Sequence, residues 1–161
     1  MTNSNFEFKQ DWDNDGMIEY RNAATLSEYH RLNEERNHVD LAKFDLFCAF
    51  SDEQFERNSK TIRPLREGEK YVRVGGGIFG TADGYEKYVA YSDEIDRQIR
   101  ENCDPQEVYC YEYNNYESCI AYDGDTNAIR LIIALFGFET AAKIKRFSAF
   151  YSLDSLKGGA E

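Results

Sequence analysis

The hydrophobic positions along the chain recur mainly at the spacing of helices, with apolar residues three and four positions apart. A further helix is expected from about Asp52, because Ser51 followed by Gln54 fits a capping box. The tyrosine-rich stretch Glu107–Tyr122 fits either a strand or a helix, and we favour a helix at its start. The clearest helical patterns cover approximately residues 25–36, 82–103, 126–136 and 139–150.

A different pattern begins at Lys70, where β-branched residues alternate with others and lead into the glycines at positions 75–77. Such a segment is typical of a strand that ends in a tight glycine turn. The chain is therefore expected to have an α+β fold that is mostly α-helical, with about five helices and a short strand or hairpin near residues 70–80.

Composition along the chain indicates its domain organisation. The 161 residues suit one domain, which we place at residues 21–153, between a polar acidic N-terminal arm at 1–20 and a frayed tail at 154–161. No apolar run approaches the roughly 18 residues that span a bilayer, and no basic segment followed by an apolar one suggests a secretory signal. The four cysteines have no metal-like spacing, so we expect a cytoplasmic protein with reduced thiols and no membrane association.

The charge distribution indicates what kind of partner the protein has. The net charge is −11, and residues 81–125 alone carry twelve acidic and three basic side chains. This excess disfavours direct contact with nucleic acid. Two interpretations remain for the acidic, tyrosine-rich segment: a solvated helix surface, or a surface that docks a protein partner such as a basic nucleic-acid-binding protein.

Near the N-terminus, the segment "DWDNDGMIE" resembles the start of a calcium-binding loop. Asp11, Asp13 and Asp15 occupy the first, third and fifth positions, and Gly16 occupies the sixth. The twelfth position, where a bidentate glutamate closes the calcium shell, is Asn22. We therefore favour an acidic turn, keep calcium binding by the three aspartates as the alternative, and expect no cofactor.

The glycine run also matches the letters of a nucleotide-binding motif, with Gly75, Gly77 and Gly80 at the G-x-G-x-x-G positions. The arrangement of a P-loop is absent, and Asp83 at the start of the following helix would repel phosphate. A turn at which backbone packs closely against a neighbouring element is the favoured interpretation.

Side chains suited to catalysis are scarce. His30 and His38 lie eight residues apart and share no helix face well, and no Ser-His-Asp or Cys-His set is indicated. Glu112 and Glu117 form a possible carboxylate pair, although a solvated acidic face is favoured. We leave catalysis open and favour a role without it.

Three segments, in this order and at comparable spacing, resemble a family of small uncharacterised proteins of bacteriophages and mobile elements. They are "FCAFSDEQF" (Phe47–Phe55), "GGGIF" (Gly75–Phe79) and "YEYNNYES" (Tyr111–Ser118). Cys48 and Ile78 depart from the pattern of that family. The resemblance implies a phage or mobile-element context and a cytoplasmic location, and it implies no reaction.

These segments supply the candidate binding residues. Their aromatic residues are expected to anchor packing, and their polar residues either satisfy backbone groups of the glycine turn or line a small pocket. Two functions follow. The favoured one is a non-enzymatic accessory protein that binds a host or viral protein through its acidic, tyrosine-rich surface. The alternative is a small-molecule-binding protein or enzyme with a site at the glycine turn, formed by Gln54, Gly75, Gly76, Gly77, Phe79, Asn115, Tyr116 and Glu117.

Overall fold

A computed structural model of the protein describes residues 23–157, apart from the side chains of residues 23, 24 and 117–119. The expected N-terminal arm, with the calcium-like loop of Asp11, Asp13 and Asp15, lies outside the described residues. Within them the fold is α+β and mostly helical, as predicted. The helices are α1 Ala23–Asn37, α2 Asp52–Asn58, α3 Ala82–Asn102, α4 Pro105–Asn115, α5 Glu117–Asp123, α6 Thr126–Phe136, α7 Phe138–Ala141 and α8 Leu153–Leu156, and the strands are β1 Leu46–Cys48, β2 Val72–Gly75 and β3 Ile78–Gly80.

The contacts within the chain divide it into two compact units. Within the described residues, unit 1 comprises residues 23–31 and 98–157, and unit 2 comprises Leu32–Arg97. Helices α1 and α3 therefore contribute residues to both units. The single domain expected over residues 21–153 stays a prediction.

Unit 2 contains a small antiparallel sheet with the strand order β1-β3-β2. Strands β2 and β3 form the hairpin predicted near residues 70–80, with Arg73 opposite Phe79. Phe79 also lies opposite Phe47 of β1. Strand β1 was not predicted from the sequence.

An aromatic cluster covers one side of this sheet. Phe55 of α2 packs edge-on against Phe47 and Phe79, with ring centroids 5.1 and 5.2 Å apart, and Tyr71 completes the cluster. Edge-to-face pairs of this kind contribute about 0.5–1.5 kcal/mol each beyond the area they bury. These aromatic contacts thus join α2 to the sheet within unit 2.

Unit 1 is built around α6, the helix predicted over residues 126–136, whose residues Ala128, Ile129, Ile132 and Leu135 are buried. Helices α4 and α7 pack against it. The prediction of a helix over residues 139–150 was wrong after Ala141, where α7 ends. After α7 the chain is irregular, because side-chain bonds from other elements hold it.

Two side chains of other elements, Tyr109 and Asp125, fix that irregular segment. The backbone N–H of Phe147 donates to the Tyr109 hydroxyl at 2.7 Å, and the Arg146 guanidinium binds both carboxylate oxygens of Asp125. Ser148 adopts a positive φ of 47°. Farther along, α8 occupies part of the segment expected as a tail from residue 154, and the Ser152 hydroxyl caps its first turn.

Candidate functional site

A solvent-accessible cleft of about 490 Å³ opens beside the glycine turn of unit 2. We call it the hairpin cleft. One side comes from the end of β1 and the start of α2, and the other comes from the β2–β3 hairpin. Its lining residues are Ala49, Phe50, Ser51, Asp52, Phe55, Arg73, Gly77 and Phe79.

Helix capping builds the first side of the cleft. The Ser51 hydroxyl accepts the N–H of Gln54 at 3.2 Å, as the predicted capping box requires. The Gln54 side chain accepts the N–H of Phe50 at 2.9 Å, one residue before the position in a standard box. The Ala49 N–H donates to the Gly77 carbonyl at 2.8 Å and connects this side to the turn. Gln54 therefore supports the cleft and does not line it.

The glycine turn needs glycine for both conformational and steric reasons. Gly75, Gly76 and Gly77 all have positive φ angles, of 126°, 53° and 77°. A Cβ atom on Gly77 would collide with the ring of Phe50, which lies over the turn. The run joins two antiparallel strands and does not lead directly into a helix, so it has the geometry of a hairpin turn and not of a nucleotide-binding loop.

The floor of the cleft is aromatic and its margin is charged. Phe55 and Phe79 are half-buried, whereas Phe50 is 76% exposed. Arg73 is exposed, and no hydrogen bond or ion pair joins its guanidinium to any residue in the described part of the chain. Asp52, in the first turn of α2, is also exposed. The cleft thus combines an apolar surface with one cation and one anion.

The structure brings together only some of the predicted site residues. Gly77 and Phe79 line the hairpin cleft, and Gln54 lies behind it. Asn115 ends α4 and Tyr116 follows it, both in unit 1, and neither is among the described lining residues. Glu117 begins α5, and its side chain is outside the description.

Sequence reasoning missed Arg73 and Asp52, and it identified Phe50 only as a packing anchor. The pairing of Arg73 with Phe79 depends on the strand register, which includes an irregularity between Arg73 and Gly75. The alternation of half-buried and exposed side chains in β2 was the available signal for the direction of Arg73, but the bulge interrupts this alternation.

The acidic segment is not one continuous surface. The Tyr29 hydroxyl donates to buried Glu112 at 2.6 Å, and Asp125 is buried beside Arg146. Much of the negative charge between residues 81 and 125 is therefore either buried or paired with arginine. The buried carboxylates are those of Glu107, Glu112 and Asp125, and arginine pairs with Asp83, Glu94 and Asp96.

The described thiols differ in reactivity. Burial raises the pKa of Cys103 and of Cys110 to about 11, so both stay protonated near neutral pH and are poor nucleophiles. Cys48 is exposed. The described residues contain no cluster of three or more His, Cys, Asp or Glu side chains suited to a metal ion.

Unit 1 has a second cavity, of about 480 Å³, near the start of α6. Arg130 and Tyr151 are among its lining residues. Unlike the hairpin cleft, it has no phenylalanine among the described residues that line it. The Thr126 hydroxyl beside it donates to the Asp123 carbonyl. None of the described helices has the length and apolar character needed to cross a membrane.

Comparison with known proteins assigns the chain to a family without assigning a role. No curated protein and no solved structure showed significant similarity to the chain. A family model described as "Family of unknown function (DUF7659)" matches residues 29–146, which include the whole hairpin cleft. This match covers well over half of the sequence, and the chain therefore belongs to the DUF7659 family, a family of unknown function.

Proposed function

We propose that this chain is a non-enzymatic binding protein and that the hairpin cleft is its binding site. The observation that carries the proposal is the exposed ring of Phe50, which borders a cleft whose floor is formed by two further phenylalanines. Removing apolar surface from water contributes roughly 25 cal/mol per Å². Ligand pockets typically have volumes of about 300–1,000 Å³, and the cleft falls within this range.

The chemistry of the lining favours binding over catalysis. The Ser51 hydroxyl already accepts the N–H of Gln54 as a helix cap. A serine nucleophile needs an adjacent base, and the titratable groups among the described lining residues are Asp52 and Arg73, with no histidine or cysteine. The lining thus supplies apolar contact and charge.

A neutral apolar dye tests this role. N-phenyl-1-naphthylamine fluoresces when it leaves water, and its titration should saturate with the wild-type protein. Phe50→Ala should weaken its affinity by about two- to tenfold, the equivalent of one aromatic contact. The matched control is Phe150→Ala, which removes a ring that is 55% exposed in unit 1 and should leave the affinity unchanged. Equal affinity for wild type and Phe50→Ala, or no saturable binding, would contradict the proposal.

A second candidate function is the docking of a protein partner on the acidic, tyrosine-bearing surface. The observation that favours it is the exposed face of α3, where Tyr85 and Val89 lie one turn apart. The acidic side chains of Glu86 and Asp93, on the same helix, are also exposed. A basic partner would gain both apolar contact and charge complementarity there. Acidic docking therefore stays a proposal restricted to this helix face.

Salt and charge reversal test that second function. A partner retained by the immobilised protein should be released between about 0.1 and 0.5 M salt, because screening shortens the range of charge attraction. Glu86→Lys on α3 should lose the partner, whereas Glu56→Lys on α2 should retain it. Equal retention by both variants would remove the α3 face from consideration.

The phage or mobile-element context and the cytoplasmic location belong to the same proposal. The support is the resemblance of the segments Phe47–Phe55, Gly75–Phe79 and Tyr111–Ser118. Neighbouring genes of viral or plasmid type are expected, and neighbouring genes for metabolism would contradict the proposed context.

A further inference from the structure

We infer that the hairpin cleft takes a small organic monoanion, with a flat apolar body on the phenylalanines and its charge beside Arg73. The inference rests on the binding role proposed above and adds the chemical class of the ligand. Its evidence is the strand register, the bonding of the arginines in unit 2 and the charge of the protein.

The register places the cation next to the aromatic floor. Arg73 and Phe79 lie directly opposite each other in the antiparallel β2–β3 pair. Opposite residues in such a pair project from the same face of the sheet, with Cβ atoms about 4.5–5.5 Å apart. A ring that lies on Phe79 therefore carries its substituent within reach of the Arg73 guanidinium.

The guanidinium of Arg73 is available for a ligand. Arg63, in the same unit, binds Glu69 through two nitrogens at 2.6 and 2.7 Å and also contacts Asp45 and Asp83. Arg73 has no such partner within the described residues, although the protein carries 30 acidic side chains. Arginine binds carboxylate and related oxyanions through a planar fork of N–H donors.

The remaining charges restrict the size and charge of the ligand. Asp52 also lines the cleft, and the net charge of the protein is −11. A polyanion such as nucleic acid would meet repulsion from both. A compact molecule with one negative group can place that group beside Arg73 and away from Asp52, so a small monoanion fits best.

Two dyes with the same ring system test the inference. 8-Anilinonaphthalene-1-sulfonate carries a sulfonate that N-phenyl-1-naphthylamine lacks. Arg73→Gln should weaken binding of the sulfonate dye about tenfold and change binding of the neutral dye less than twofold. Arg73→Lys should restore part of the loss, because it keeps the charge without the fork. The matched control is Arg130→Gln at the second cavity, which should leave both affinities unchanged.

The outcomes separate this inference from the proposed function. Suppose that binding of the neutral dye depends on Phe50 but that Arg73→Gln lowers the affinity for both dyes equally or for neither. The inferred preference for a monoanion is then wrong, and the proposed binding role stands. If Arg130→Gln produces the tenfold loss, the sulfonate dye binds in unit 1 and the inference is overturned. If neither dye saturates, both proposals fall. Unchanged thermal melts of each variant ensure that the dyes report a folded protein, since the sulfonate dye also binds molten globules.

Discussion

Removing one partner of the buried ion pair between Asp125 and Arg146 should strongly destabilise unit 1. Arg146 Nε and Nη2 lie 2.7 and 2.6 Å from the two carboxylate oxygens of Asp125. The Asp125 side chain has no exposed surface, and that of Arg146 is 13% exposed. The Tyr109 hydroxyl donates a further bond to Asp125 at 2.9 Å. The pair therefore joins the start of α6 to the irregular segment after α7.

Arg146→Met is the perturbation that exposes this dependence. It leaves the Asp125 carboxylate in the interior without its cation, and it also removes the bond from Arg146 Nη1 to the Tyr151 carbonyl. Removing one partner of a buried pair costs about 3–5 kcal/mol. For a protein of this length, 1 kcal/mol corresponds to about 2–4 °C in melting temperature, so a decrease of about 6–20 °C is expected.

Urea denaturation followed by circular dichroism measures the change in free energy of unfolding. The control is Arg97→Met, because the Arg97–Glu94 pair is about half exposed on both sides and is expected to contribute less than about 1 kcal/mol. The double variant Asp125→Leu/Arg146→Met should recover most of the loss, because no unpaired charge is left at this position. The backbone N–H of Phe147 still donates to the Tyr109 hydroxyl in this variant.

Two results would refute this reasoning. One is an Arg146→Met protein within about 1 kcal/mol of wild type, which would mean that Asp125 is well solvated without its partner. The other is a double variant no more stable than Arg146→Met alone, which would mean that the loss comes from packing and not from an unpaired buried charge.

Two further predictions concern unit 2. Gly77→Ala should lower the free energy of unfolding by about 1–2 kcal/mol, the cost of a left-handed conformation for alanine. It should also weaken binding of the neutral dye, because the new methyl group displaces the Phe50 ring. Dye affinity equal to that of wild type would contradict the placement of Phe50 over the glycine turn. Hydrogen bonding from Arg63 holds the pKa of Glu69 down to about 2, against an ordinary value of 4.5. The stability that Glu69 contributes is therefore complete above about pH 4.5 and lost as the pH falls toward 2. The urea midpoints measured at pH 5 and at pH 2.5 should differ less for Glu69→Gln than for wild type. An equal decrease in midpoint for both proteins would mean that Glu69 is not a source of the pH-dependent stability.

Elements with local signals were predictable from the sequence. The start of α2 depends on Ser51 and Gln54, which lie within one turn of each other. Helix α6 depends on its own apolar stripe, and the β2–β3 hairpin depends on three adjacent glycines with positive φ. In each case the residues that determine the conformation lie close together in sequence.

Elements determined by distant contacts were not predictable. Strand β1 has three residues, and its conformation depends on pairing with β3. The apolar pattern after α7 continues at helical spacing, but the Tyr109 hydroxyl and the Asp125 carboxylate hold Phe147 and Arg146 in another conformation. Periodicity does not contain this information.

The candidate site was predictable in part for the same reason. The segments that contain Phe50 and Gly77 were identified because both have local motifs. Arg73 was missed because its position depends on the register across the hairpin. The division of Gln54 and Asn115 between two units depends on chain contacts that no motif encodes.

Amide chemical shifts give the most direct test of the hairpin cleft as the binding site. The ¹⁵N-labelled protein is titrated with N-phenyl-1-naphthylamine, and the shifts of assigned backbone amides are followed. Saturating shifts are expected at Ala49, Phe50 and Gly77, with none along α6. Shifts concentrated on α6, or none at the cleft at saturating dye, would contradict the binding role.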